Sequence, residues 1–448
     1  MPAVRLRDAC RDTAVLAVLC TALVARLLVF AINHPFAPLA KDDSVYDQLA
    51  TNVIAGHGFS ISPGEPYEPM GARSPGYPAF LAVVYEVAGH ETDAVRLVQI
   101  ALSVATCLIV YLLGLPLVGR RGALMAAAIY ATLPAAVGYP SEVLTEANEA
   151  LFVVGAVYAV YRCRDEHASR WWPVAAAAWL GLATLARPDY QFLIVFLFAA
   201  LLCTVVHWRV AAGRAALALL CFAALLFPIM IWNYARFDRF IGLASGSGHA
   251  LLVAQLEAEG KTGRVLDAEL QRRYGAAFER DHHRKMTFLD GASPDQDPSR
   301  MRDFVAFLKA EPDVYVKNTV RRLVAFWGPR SWSDALLLDK DFSEYSAARD
   351  YLRLGAKVAL LAWDAAVLGL AAIGGLLALR RWREFAPVIG VVLYTSLIYG
   401  LVYGGARYRV PVLPVISILA VVSLQYVLNA IPWPRATRLE STESCVVS

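Results

Sequence analysis

Blocks of about twenty consecutive apolar residues constrain this chain more than any other feature. A run of that length matches the ~30 Å hydrocarbon core of a bilayer and commits the backbone to helix. Ten such blocks lie near 13–33, 94–118, 122–138, 143–161, 172–186, 190–207, 215–232, 354–379, 385–403 and 409–430. The chain is 58% hydrophobic and 18% charged, more apolar than a soluble domain of similar size. The expected fold class is an all-α polytopic membrane protein with about ten transmembrane helices. The first block contains Arg26 and lacks a small-residue cleavage site, so it is read as a retained span.

Lys and Arg in the short loops set the expected orientation. One set of loops holds Arg5, Arg7, Arg11, Arg120, Arg121, Arg162, Arg164, Arg170, Arg209, Arg214, Arg380, Arg381, Arg383, Arg435 and Arg438. The opposite set holds Arg187, Arg407 and Arg409. Both termini are therefore expected on the cytoplasmic side. Segments 34–93 and 233–353 are too polar to span and are expected outside, the first carrying short juxtamembrane helices. The second carries helical patterns at Ala250–Glu259, Leu266–Arg280, Arg302–Ala310 and Val314–Trp327. The expected organisation is a membrane module 1–232 with a catalytic first loop 34–93, an external helical segment 233–353, and helices plus a polar tail over 354–448. The seven cysteines, Cys10, Cys20, Cys107, Cys163, Cys203, Cys221 and Cys445, show no zinc or redox spacing. A net charge of +4 gives no reason to expect a nucleic-acid partner.

The chemistry-bearing residues gather at the expected outer mouth. Asp42 and Asp43 follow the first span, with Tyr46 just beyond. A carboxylate there could act as a general base or bind a cation, and Asp43 could equally cap the helix that follows. Arg73, in Arg73-Ser74-Pro75-Gly76-Tyr77-Pro78, presents a planar fork suited to a phosphate; anchoring to lipid headgroups is the alternative. Glu142, Glu146 and Glu149 recur at i, i+4 and i+7, which predicts three carboxylates on one face of the fourth span. Arg187, Arg407 and Arg409 occupy two further outer turns. Arginines at headgroup depth suit an anionic lipid phosphate, and carboxylates suit activation of a hydroxyl.

Several motifs recur in order along the chain: Asp42-Asp43-x-x-Tyr46 with Leu49-Ala50-x-Asn52, Gly56-His57-Gly58-Phe59-Ser60, Arg73 to Pro78, Ser141-Glu142, and Ala186-Arg187-Pro188. The stretches Arg236–Gly248, Phe304–Pro329 and Arg407–Pro414 complete the series. In this the chain resembles the bacterial GT-C glycosyltransferases of the family-39, protein-mannosyltransferase-like group. The resemblance implies a polyprenyl-phosphate-sugar donor, an extracytoplasmic acceptor (lipid, glycan or protein), and a site on the outer face of the bacterial inner membrane. It places the base on Asp42, by alignment to Tyr46, with Asp43 as its neighbour. It matches Arg73 to a phosphate-binding position; by their place at the outer mouth Arg187, Arg407 and Arg409 are expected to share the donor phosphate, and Tyr46, His57, Glu142 and Glu146 to line the acceptor site or the cavity. No cofactor is required, although the acids would accept a divalent cation. A lipid-linked glycan flippase and a non-catalytic envelope-assembly protein are the rival classes, and the absence of paired repeats weighs against the first.

Overall fold

The computed structural model describes residues 11–165, 169–204, 208–261, 264–282, 286–287, 289–329, 342–402 and 404–430. Arg5, Arg7, Cys10, Arg435, Arg438, Cys445 and the polar tail lie outside them. The described residues form an all-helical membrane protein, with one isolated bridge between Ser60 and Pro69. The principal helices are α1 (Thr13–Asn33), α2 (Asp42–Ile54), α3 (Gly76–Ala88), α4 (Thr92–Thr132), α5 (Glu146–Arg162), α6 (Trp171–Ala186) and α7 (Leu193–Leu202). They continue with α8 (Trp208–Phe237), α9 (Ser247–Ala258), α10 (Asp297–Ala310), α11 (Pro312–Trp327), α12 (Tyr351–Ala378), α13 (Trp382–Leu401) and α14 (Leu413–Ala430).

Among the described residues, five helical stretches are long and apolar enough to cross a bilayer. Two of them each hold two of the expected blocks. In 92–132 the break falls at Gly119, whose φ of 70° lies where glycine adopts the left-handed region without strain, so the chain reverses just before Arg120 and Arg121. In 351–401 the break is the short turn Leu379–Arg381. The blocks around 172–186 and 190–207 appear as α6 and α7, apolar but shorter than a full span. The described cysteines are free thiols.

The fourth block departs from its expected geometry. Its helix begins at Glu146, not at Ser141, because Pro134 and Pro140 divide the preceding chain into short turns and Glu142 is extended. Glu142 therefore does not share a helical face with Glu146 and Glu149. The core forms where α12 meets α14, α4 meets α1, α5 and α14, and α5 meets α6. The two loop regions, carrying α2–α3 and α9–α11, sit at one end of this bundle.

Candidate active site

Local sequence explains how the first loop presents its acids. Lys41 adopts a positive φ of 64°, which turns the chain abruptly into α2. Asp43 then folds back: its Oδ1 accepts from the Ala40 and Ser44 backbone N–H groups at 2.8 and 2.9 Å. That is capping geometry, although Asp43 sits within the first helical turn. Neighbouring residues on a helix point apart, so Asp42 faces the other way.

Asp42 lines a cavity of about 940 Å³. Arg73 Nη2 donates to its Oδ1 at 3.0 Å, and Arg407 Nη1 donates to its Oδ2 at 3.3 Å. Burial alone would raise the Asp42 pKa; the charges of Arg73, Arg407 and Arg187 outweigh it and hold the carboxyl below its ordinary value. Tyr46, one helical turn on, also lines the cavity, and burial pushes its phenol up to about 12, so it is a neutral hydrogen-bonding group.

Each arginine is placed by packing. Arg73 precedes α3, whose first residue, Gly76, lies against the backbone of Leu185 and Ala186. A Cβ there would come within 2.4 Å of the Leu185 carbonyl carbon, so only glycine permits this approach. That contact brings Arg73 and Arg187 to one wall. Arg187 Nη2 donates to Asp189 at 2.7 Å, lies 3.6 Å from Glu149, and covers the Tyr408 ring at 4.6 Å. Tyr408 stacks on Tyr399, with centroids 5.2 Å apart and planes 2° apart, and Tyr399 stacks on Phe326. Three parallel rings thus support the arginine from below. Arg407 is held by Glu146, which is fully buried.

The structure brings Asp42, Tyr46, Arg73, Arg187 and Arg407 together at the cavity, with Glu146 behind Arg407. Other expected members lie elsewhere. Arg409 is 1% exposed and is spent on structure: it pairs with Asp364 at 2.9 Å and donates to the Phe326 and Gly328 carbonyls. His57 is exposed at a loop tip and stacks on Tyr67, because Asn52 pins the chain at Ser60 and Ser62 and leaves residues 55–58 outside. Glu142 does not line the cavity; its carbonyl accepts from Gln99. Among the described residues, no group of three or more His, Cys, Asp or Glu is arranged to hold a metal ion.

Aligned on the Archaeoglobus fulgidus oligosaccharyltransferase AglB, solved with an inhibitory peptide and a dolichol-phosphate, the chain overlaps over 93% of its length at a TM-score of 0.53 and 16% identity. The chain has the GT-C fold. The apo form of the Archaeoglobus fulgidus oligosaccharyltransferase gives a TM-score of 0.54 at 18% identity, again over 93% of this chain. This chain spans about half the length (50%) of both structures. Residues 72–232, about a third of the chain, match the family described as dolichyl-phosphate-mannose-protein mannosyltransferase. ArnT from Cupriavidus metallidurans, solved with undecaprenyl phosphate, overlaps over 91% of this chain and 77% of its own at 15% identity; its TM-score of 0.42 is too low to argue from. No curated protein sequence matches.

Within this GT-C fold, sequence reasoning missed the contribution of the second loop. Ser245, His249 and Glu257 line the cavity from α9 and its approach, and Arg321 and Ala325 from α11. Burial, with the nearby cations Arg300 and Arg73, depresses the His249 imidazole to about 4, so it is neutral at pH 7. The Gly246-Ser247-Gly248 run before it was the available signal: Gly246 has a φ of 107°. Tyr408 lay inside a quoted motif, but nothing in its spacing marked it as a platform.

Proposed function

We propose that the chain is a membrane glycosyltransferase that moves a sugar from a polyprenyl-phosphate donor to an acceptor hydroxyl. One observation carries this reading: a carboxylate, Asp42, stands between two arginines on the wall of a cavity within the size range of small-molecule sites. The family match and the fold support the class. The dolichol-phosphate and peptide bound to AglB suggest the chemistry of donor and acceptor.

In this mechanism the donor phosphate takes Arg73, Arg187 and Arg407 as its partners. Competition for those arginines frees Asp42 from charges that depress its basicity. Asp42 then accepts the proton of the acceptor hydroxyl. The acceptor oxygen forms a bond to the anomeric carbon while the anomeric carbon–oxygen bond to phosphate breaks, and polyprenyl phosphate leaves as the anion. The arginines stabilise the charge that develops on it. Attack opposite the leaving group makes the transfer inverting. Asp43 holds the turn that aims Asp42, and a divalent cation is not needed for these steps.

The proposal places the cavity on the extracytoplasmic side of a bacterial inner membrane, with both termini in the cytoplasm. Region 1–232 supplies the acids and most arginines, region 233–353 the far wall, and region 354–448 the turn carrying Arg407. The test is an in vitro transfer assay with a panel of polyprenyl-phosphate sugars and acceptors, comparing the unaltered protein with Asp42→Asn. Transfer by the former and its loss in the latter are expected. Movement of intact lipid-linked glycan across vesicles without transfer would instead indicate a transporter.

A further inference from the structure

Helix α11 meets α13 in an unusual way. Tyr315 donates to the Leu401 carbonyl at 3.0 Å, Arg322 Nε donates to the Gly400 carbonyl at 2.8 Å, and the Phe326 ring stacks on Tyr399 at 5.3 Å. From Tyr315 to Phe326 the α11 axis advances about 16 Å, whereas its partners on α13 retreat only ~3 Å. Three turns of α11 therefore converge on the last turn of α13. Beyond α11, Arg409 holds the Phe326 and Gly328 carbonyls from the turn that opens α14. Helix α11 thus packs against the ends of two spans, α13 and α14, at the depth where a bilayer's headgroups would begin.

Its side chains divide into three faces. Asn318, Arg322 and Phe326 are buried against α9 and α13. Arg321 and Ala325 line the cavity. Val316, Val320 and Val324, at i, i+4 and i+8, form a stripe that is 61, 55 and 68% exposed. Lys317 is exposed at the border of that stripe, and Arg321 marks where the stripe gives way to the cavity wall. On α13 itself Leu393 and Leu397 remain exposed, so the apolar outer surface of the spans reaches to within about a turn of the α11 contact. Three adjacent exposed valines on one helix make a patch that water does not favour and a bilayer does.

We infer that α11 is an interfacial helix whose valine stripe lies at the boundary of headgroups and acyl chains, with Lys317 against lipid phosphates. The occupant is the lipid surface: the stripe continues the apolar belt of the spans, Lys317 on its border complements phosphate, and the one acid on its face, Asp313, sits in the first turn at the helix end. One helix then separates the cavity from the membrane, with a wet wall inside and a lipid wall outside. The inference does not depend on the transferase reading.

The test uses the full chain in nanodiscs containing anionic phospholipid, with its native cysteines replaced by alanine and a single nitroxide label at Val316→Cys, Val320→Cys or Val324→Cys. Collision rates with oxygen, which partitions into lipid, are compared with those of a water-soluble nickel chelate. Oxygen collisions exceeding nickel collisions several-fold at all three positions are expected. Nickel collisions exceeding oxygen collisions would place the stripe in water and overturn the inference. Low collision rates with both reagents and an immobilised label would mean that protein covers the stripe, and would overturn it equally. Because the label sits on an exposed face, folding is not at risk.

Discussion

A carboxylate that removes a proton must be ionised yet basic, and the role proposed for Asp42 sets those two demands against each other. Arg73, Arg187 and Arg407 hold it ionised by lowering its pKa, which weakens it as a base. Donor binding, by drawing the arginines to phosphate, should raise that pKa again. The acid limb of kcat, which reports the bound complex, is therefore expected at higher pH than the acid limb of kcat/KM, which reports the free protein. Parallel pH profiles of the two constants would remove Asp42 as the group. Asp42→Asn is expected to cut turnover about 10²–10⁴-fold, while Asp43→Asn costs ~1 kcal/mol of stability through its lost capping bonds and leaves most activity. The arginines should separate by readout. Arg73→Ala is expected to raise the donor concentration needed. Arg409→Ala breaks a buried pair with Asp364 and should cost about 3–5 kcal/mol, seen as a lowered unfolding temperature rather than a donor-specific change.

At the level of elements, packing decides what spacing could not. The apolar blocks were legible because bilayer thickness fixes their length, and the helices of both loop regions were legible from periodicity and glycine–proline punctuation. Asp42, Tyr46, Arg73, Arg187 and Arg407 were legible as residue types at one end of the bundle. Their pairing was not, since it depends on how closely α3 approaches α6. Glu142 and Arg409 misled for related reasons: a helix pattern ignored Pro140, and an arginine beside Arg407 in sequence points into the core instead of the cavity. Gly76→Ala tests the packing argument. It forces α3 and α6 apart and is expected to cost about 1–3 kcal/mol and to impair donor binding, since Arg73 and Arg187 move with those helices. In α9, His249 is depressed to about 4. The unfolded chain takes up a proton near pH 6.5, the folded chain not until about pH 4, so stability present above 6.5 is lost as pH falls through that window. Hydrogen-exchange protection factors in 245–258, taken relative to the intrinsic exchange rate at each pH, should fall from pH 6.5 to 4, and His249→Gln should flatten that response.

At the scale of the whole molecule, the cavity has no owner among the segments. Its walls come from the first loop, the α6–α7 turn, the second loop and the turn before α14, and the pair Asp42–Arg407 joins residues 365 positions apart. That separation has a consequence for the life history of the protein. A ribosome adding about 5–20 residues per second needs roughly 20–70 s between Asp42 and Arg407. Throughout that interval the nascent chain already carries its acid but lacks the cation that completes the pair, and Glu146 is without the partner that holds it in the finished fold. A partly inserted chain already carries Arg73 and Arg187 but not Arg407, so the phosphate site of the proposed mechanism is complete only when the final turn docks. Under the proposed transferase reading, chain order alone therefore delays any transfer until the last external turn has been made and docked.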